Sequence, residues 1–296
     1  MARKPVTLST IRSLRERYHK AVPGKESLVK IINEAEIPEH VYNSNAIENS
    51  TLSLEETEKI LLQIDLDRYV SEREIFEAKN LARVTSYIDE KAKEAELSKD
   101  ILLFLHKMLI ANIRDDIAGR FRKEGEWVRV GTHIGADPAE VENLLTQMFS
   151  TYAADGSGDI VERIARFHLT LENIHPFCDG NGRIGRAANN YLLIREGYTP
   201  INIAFVNRVQ YYEAFKEFEL KGNTKIMEEI VARALTNSLH KRLAYLESKE
   251  IITLNEYAKQ HKLAHSNLIN KAKRQTIEAF LEKGVWKIAS SFKLQQ

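Results

Sequence analysis

Apolar residues recur every three or four positions through most of this chain and alternate almost nowhere. Between Glu72 and Ala95 the stripe is Ile75, Ala78, Leu81, Val84 and Ile88, and Ile101, Leu102, Leu105, Met108 and Leu109 continue the period in a second segment. Ile160, Ile164, Phe167, Leu171 and Ile174 line one face of a third. Further helices are expected from about Arg183 through Leu192, from Val209 to Leu220 and from Lys225 to Leu246. Six prolines and thirteen glycines in 296 residues leave such segments long. The spacing therefore predicts a mainly α body. Two stretches depart from it. Trp127 to Ile134, "WVRVGTHI", alternates and reads as a short strand or hairpin arm. Thr276 to Ile288 carries two β-rich runs around Lys283-Gly284 and reads as a hairpin.

Charge is balanced, with 43 Lys+Arg against 42 Asp+Glu, which argues against a general polyanion binder. One cysteine excludes an internal disulfide framework and suits a reducing compartment. The opening "MARKPVTLST" has no apolar secretory core, and runs such as Ile101 to Leu105 are too short to span a bilayer. A cytoplasmic protein with no membrane partner is expected. Locally the balance shifts: residues 251–296 hold eight basic and three acidic side chains, an excess of five positive charges. Leu254 to Gln260 and Ser266 to Arg274 read as two short helices joined by a tight turn. With the hairpin behind them they resemble a helix-turn-helix with a wing, an arrangement that reads nucleic acid. In that reading Ser266, Asn267, Asn270, Lys271, Lys273 and Arg274 face a groove of DNA. A small helical cap with solvated lysines is the other reading.

The densest chemistry lies in His175 to Arg186, "HPFCDGNGRIGR". Gly180-Asn181-Gly182 can turn consecutive backbone N–H groups inward, and a helix starting near Arg183 adds its positive dipole end, which makes an anion pocket. Arg183 and Arg186 lie three apart on one helix face and suit phosphate oxygens. Asp179 beside phosphates suits Mg²⁺. His175, just before Pro176, can take a proton from a nucleophile. Together they describe phosphoryl or nucleotidyl transfer. The glycines also fit G-x-G-x-x-G at Gly180, Gly182 and Gly185, but that dinucleotide fingerprint needs a preceding strand and a βαβ unit. No Walker pattern is present. His168, Glu172 and His175 do not have a recognised metal-ligand spacing, so His168 reads as a packing residue, and Cys178 reads as a spacer.

"HPFCDGNGRIGR" resembles the signature of the Fic (fido) family, H-P-F-x-[DE]-G-N-G-R-x-x-R, at every fixed position. The resemblance implies an all-helical Fic core with a short β-hairpin flap, which binds ATP with Mg²⁺ and moves AMP onto a protein hydroxyl. It implies that His175 is the base, that Phe177 anchors the loop and that Asp179 holds Mg²⁺. Gly180, Asn181 and Gly182 would cradle the phosphates, Arg183 and Arg186 would clamp the outer ones, and Ile184 and Gly185 would complete the ATP site. "VRVGTHIG" resembles the family's flap, which would place Val130, Gly131, Thr132 and His133 close to the nucleotide and lay the target's backbone alongside as an added strand. "NRVQYY" at Asn207 to Tyr212 resembles a further segment, with Tyr211 near the adenine.

Ser44-Asn45-Ala46-Ile47-Glu48-Asn49 resembles the family's inhibitory motif, [ST]-x-x-x-E-[GN]. The resemblance implies that Glu48 pairs with Arg186 and occupies the γ-phosphate's space, with Ser44 beside it. The expected layout is an N-terminal helical region, 1–95, carrying the motif at 44–49; a Fic core, 96–235; and a winged-helix-like module, 248–296. The expected function is a self-inhibited adenylyltransferase that modifies a Ser, Thr or Tyr hydroxyl of a target protein or of itself. Removal of AMP by the same site, and a DNA-binding regulator with a nucleotide-sensing core, are the alternatives. The residues do not give the oligomeric state; the resemblance leaves a homo-oligomer open, because some relatives use dimerisation to control the inhibitory helix.

Overall fold

The computed structural model describes residues 8–130, 133–156 and 158–294. Backbone contacts divide it into two compact units. One joins Met1–Ala35 to Glu229–Gln296, and the other is Glu36–Glu228. The sequence boundaries at 95, 235 and 248 do not coincide with these divisions. The reason is local: α2 (Glu26–Ile47) and α10 (Lys225–Glu247) run unbroken past the points where the contacts divide.

The larger unit holds α3 (Leu54–Leu61), α4 (Glu72–Lys91), α5 (Lys99–Ile110), α6 (Val141–Ala154), α7 (Ile160–Ile174), α8 (Asn181–Arg195) and α9 (Arg208–Lys221). Side-chain caps set several of the starts. Ser53, Ser71, Ser98 and Asp159 each accept a first-turn N–H, and Ser53 closes a reciprocal box with Glu56. Around α8 the packing is by α4, α5 and α7. Ile184, Ala188 and Leu193 on α8 are fully buried, as are Leu102, Leu105 and Leu109 on α5. A helix buried nearly all round is the middle of a core rather than its edge. The expected start of α8 near Arg183 is corrected to Asn181. The β-rich stretch condenses to β1 (Arg129–Val130) and β2 (His133–Ile134), paired antiparallel as Arg129↔Ile134 and Val130↔His133. Gly131 and Thr132 lie outside the described residues.

In the smaller unit, β3 (Ile251–Thr253), α11 (Leu254–Gln260), α12 (His265–Lys273), β4 (Phe280–Glu282) and β5 (Val285–Ala289) follow α1 (Leu8–Ala21) and the unit's share of α10. The sheet is antiparallel in the order β3-β5-β4. Lys283 and Gly284 both have positive φ, 49° and 78°, as a two-residue hairpin turn requires. Leu254, Tyr257, Leu268, Ala272 and Ile288 form its core. Ser266, Asn267, Asn270, Lys271, Lys273 and Arg274 are all exposed. No helix among the described residues is long and apolar enough to cross a membrane.

Candidate active site

Helix α7 ends where His175 turns left-handed, with φ 53° and ψ 61°. A non-glycine residue rarely adopts this backbone without support. The support is Arg122, which is 4% exposed. Its guanidinium donates to the carbonyls of His175 (2.8 Å) and Ala136 (2.6 Å), and its own amide donates to Pro176 O at 3.0 Å. His175 Nδ1 lies 3.2 Å from the carbonyl oxygen of Glu172. A carbonyl only accepts, so Nδ1 carries the proton and Nε2 keeps a basic lone pair. Burial lowers the imidazole pKa to about 4, so the ring is neutral at ordinary pH.

The loop is anchored from two further directions. Phe177 is fully buried and stacks on His106, ring centroids 3.9 Å apart. His106 accepts from Gly119 N–H at Nδ1 (3.0 Å), and its Nε2–H donates to Asp179 O (3.1 Å). The side chain of Asn181 brackets Phe177, accepting from its N–H at 2.9 Å and donating to its C=O at 2.8 Å. Gly180 then turns the chain into α8 with φ 81°. A Cβ there would press on Leu109 and Ile110 at 3.1 Å, so glycine is needed for space as well as for conformation. Ile184 N–H closes the first helical bond to Gly180 O, 3.0 Å. The N–H groups of Asn181, Gly182 and Arg183 precede it and have no intrahelical acceptor, which makes them anion donors. The cradle is thus the first turn of a helix rather than a loop before one.

Neither arginine stands free. Arg183, 4% exposed, bonds Glu77 and Asp179, each at 3.1 Å. Arg73 closes the ring, reaching Asp179 at 2.7 Å and Glu77 at 3.0 Å. Burial works to raise the Asp179 carboxyl, but the charges of Arg183 and Arg73 outweigh it and lower its pKa. Arg186, on the next turn, donates to Ser44 Oγ (2.9 Å), Ser44 O (2.8 Å), Glu48 (2.9 Å) and the Tyr211 hydroxyl (3.1 Å). Helix α2 ends at Ile47, so Glu48 reaches Arg186 from the first residue beyond it. The Glu48 carboxylate lies over Gly182, where any side chain would collide with it.

A cavity of about 660 Å³ gathers Glu48, Val130, His133, His175, Asp179, Gly180, Asn181, Gly182, Arg183 and Tyr211. Ser44 and Arg186 do not line it. Ile184 and Gly185 are corrections: Ile184 is fully buried, and a Cβ on Gly185 would meet Glu172 Oε1 at 2.6 Å and His168 Cε1 at 2.9 Å. Both residues serve the packing of α8, with Gly185 facing α7. Tyr211 lines the cavity yet is only 1% exposed, and its hydroxyl is shared between Arg186 and His168 Nε2 (2.7 Å). His133 is tied to Glu219 (3.0 Å) and to Asn173 O (2.9 Å). Cys178 Sγ donates to Glu126 at 3.5 Å, and burial raises its pKa, which leaves it a poor nucleophile.

Sequence reasoning missed Arg73, Glu77, His106 and Arg122, and it passed over Glu172. Burial, followed by the charge of Glu48, raises Glu172 to about pKa 8, with Arg186 opposing. A raised carboxyl pKa means that the folded protein keeps a proton the unfolded chain has lost, so stability falls as pH rises from about 4.5 toward about 8. Thermal melts of Glu172→Gln should therefore exceed wild type at pH 8, and the difference should shrink toward pH 5. A constant difference across that range would contradict the raised pKa.

No group of three or more His, Cys, Asp or Glu among the described residues could hold a metal by itself. A single carboxylate at a phosphate cradle nonetheless fits Mg²⁺, which completes its shell with phosphate oxygens and water. Asp179 would be that ligand, once Arg73 and Arg183 yield part of their hold.

Residues 96–193 match the Fic/DOC family model. The chain is 26% identical over 303 positions to protein adenylyltransferase Fic of Drosophila melanogaster, covering 96% of this chain and 61% of that protein. It is 28% identical over 255 positions to protein adenylyltransferase Fic of Nematostella vectensis, covering 83% and 57%. The chain thus spans about three-fifths of the length of the curated relatives it matches. Among solved structures, Fic-1 from C. elegans superposes with a TM-score of 0.69 at 27% identity, over 80% of this chain and 70% of that one. A Fic domain containing signaling protein from Bacteroides thetaiotaomicron shares the fold, with a TM-score of 0.71 at 23% identity over 80% and 96%.

Proposed function

We propose that the chain, whose residues 96–193 match the Fic/DOC family model, is a self-inhibited protein adenylyltransferase. What supports this reading is one juxtaposition: the basic Nε2 of a neutral His175 and the first-turn amides of α8 belong to the same cavity. ATP is the substrate. Its phosphates take the N–H groups of Asn181, Gly182 and Arg183, while Arg183 offers a guanidinium beside them. Mg²⁺ bound at Asp179 would neutralise phosphate charge. His175 Nε2 accepts the proton of a Ser, Thr or Tyr hydroxyl as that oxygen bonds the α-phosphorus. The bond from the α-phosphorus to the bridging oxygen breaks and pyrophosphate leaves. Positioning and electrostatics carry most of the acceleration in such transfers.

Self-inhibition follows from Glu48. It covers Gly182 and holds Arg186, so both the cradle and a phosphate-seeking cation are engaged before nucleotide arrives. The test is mass spectrometry of Glu48→Gly protein after incubation with ATP and Mg²⁺. A covalently added AMP on the chain or on a lysate protein is expected. Its absence from both would sink the reading.

A second property is carried by the smaller unit. The exposed polar face of α12, followed by the β4–β5 hairpin, has the order and the charge of a winged helix on duplex DNA. Full-length protein should retard mixed-sequence duplex at low salt. Lys273→Glu combined with Arg274→Glu should reduce the log–log salt slope by about 2 if each contacts a phosphate. No retardation at low salt would dismiss DNA as a partner.

A further inference from the structure

Glu172 sits one turn before His175 on α7, with its side chain 11% exposed. Its Oε1 is buried and has no hydrogen-bond partner among the described residues. Its Oε2 lies 3.9 Å from His175 Nδ1. An orphaned carboxyl oxygen in such a place is costly, and nothing in the transfer reaction as derived above uses it. The groups that bear on it come from every neighbouring element: His168 from α7 and His175 just past its end, Arg186 from α8, Tyr211 from α9, and Glu48 from just beyond α2.

We propose that Glu172 is a positioning residue for His175, uncharged while Glu48 occupies the cavity and ionised once Glu48 withdraws, when it becomes the counter-charge of the imidazolium that His175 forms. The role rests on the adenylyltransferase reading; the gating by Glu48 does not. Two carboxyl groups here share the field of one guanidinium, and Glu48 already holds Arg186 at 2.9 Å. A second negative charge in that buried space meets both desolvation and repulsion from the first, so Glu172 keeps its proton. When Glu48 leaves, the repulsion goes and Arg186 loses its carboxylate partner. Glu172 then releases its proton to solvent through the cavity it lines.

The hydrogen bond from His175 Nδ1 to the Glu172 carbonyl orients the ring but supplies no full charge. An ionised Glu172 carboxylate supplies one on the side opposite the reacting Nε2. In the reaction the hydroxyl proton goes to Nε2, the hydroxyl oxygen bonds phosphorus, and Glu172 remains ionised throughout. A carboxylate behind a basic imidazole favours its protonated form in just this way. Glu48 thereby inhibits twice, by filling phosphate space and by keeping the base without its counter-charge.

The test follows the Glu172 side-chain carboxyl by ¹³C NMR titration in nucleotide-free, full-length protein, with the signal assigned from Glu172→Gln. In wild type the midpoint is expected at about 8. In Glu48→Gly it should fall by at least about one pH unit, a tenfold loss of proton affinity. Glu48→Gln, which keeps the shape and removes the charge, should reproduce the fall. Self-modification by Glu48→Gly should rise with pH across the same interval, and that rise should be absent from Glu48→Gly/Glu172→Gln. An unchanged midpoint in both Glu48 variants, or a pH rise that persists without the carboxyl, overturns the inference. A purely structural Glu172 would alter the melting temperature and leave these titrations alone. Because the carboxyl titration needs no nucleotide, an absent AMP adduct in the mass spectrum would count against the function and leave the gating standing.

Discussion

In a Glu48→Gly background, replacing His175 with alanine lowers AMP transfer by roughly 10²- to 10⁴-fold, the usual contribution of a positioned proton acceptor. The expectation comes from the neutral ring and its oriented tautomer. Burial lowers the imidazole to about pKa 4, and the Glu172 carbonyl fixes the proton on Nδ1. Nε2 therefore carries an unprotonated lone pair at any pH well above 4. Binding of a nonhydrolysable ATP analogue should change little in the same variant, because the anion donors belong to α8 and not to the histidine. Radiolabel transfer and calorimetric binding, measured side by side, separate the two. Equal losses in both would mean that His175 builds the cavity and does not act on the hydroxyl.

The second large effect is activation by Glu48→Gly itself. The Glu48 side chain is 35% exposed, and its partner Arg186 is 7% exposed. Arg186 keeps Ser44 Oγ, Ser44 O and the Tyr211 hydroxyl as partners after the substitution. Loss of the carboxylate therefore leaves a charged group that is still hydrogen-bonded, so the fold should survive. Coupling of one to three kcal/mol between a blocking contact and a ligand corresponds to about 5- to 150-fold in apparent affinity. Transfer measured below nucleotide saturation should rise within that range. Ser44→Ala should give a smaller rise, because it removes one bond to Arg186 and leaves Glu48 in place. If the two substitutions are equally activating, the helix end matters more than the carboxylate.

How far the sequence could be read depended on whether a feature was local. The α7 helix runs from Ile160 to Ile174 as its apolar stripe indicated, because stripe, cap and end all lie within sixteen residues. The hairpin around Lys283-Gly284 was visible for the same reason. The stripe of α6, buried at Val141, Leu145 and Met148, was equally local and went unread. Strand β3, three residues long, offers too little pattern to recognise. At the site, the histidine, the acid and the glycines of one twelve-residue stretch were legible as chemistry. The residues that hold them were not. Arg122 lies 53 positions from the His175 carbonyl it grips, and Arg73 lies 106 positions from Asp179. No periodicity links such pairs, and an arginine on a polar helix face or in a loop looks like solvated charge until the chain folds. Glu172 was in plain view but lacked a ligand spacing; its significance comes from burial, which a sequence does not display.

Gly185 touches no phosphate and carries no charge, yet it sets a length. The base terminates one helix, the amide donors begin the next, and these two helices meet across the bare α-carbon at 185. A methyl group there would find Glu172 and His168 already within 3 Å, both too enclosed to step aside. The helices would part, and His175 would move away from the first-turn amides of α8. A misplacement of 1 Å can cost about 10²-fold in rate. The thickness of a single hydrogen atom is thus the ruler for the distance between the imidazole and the first-turn amides.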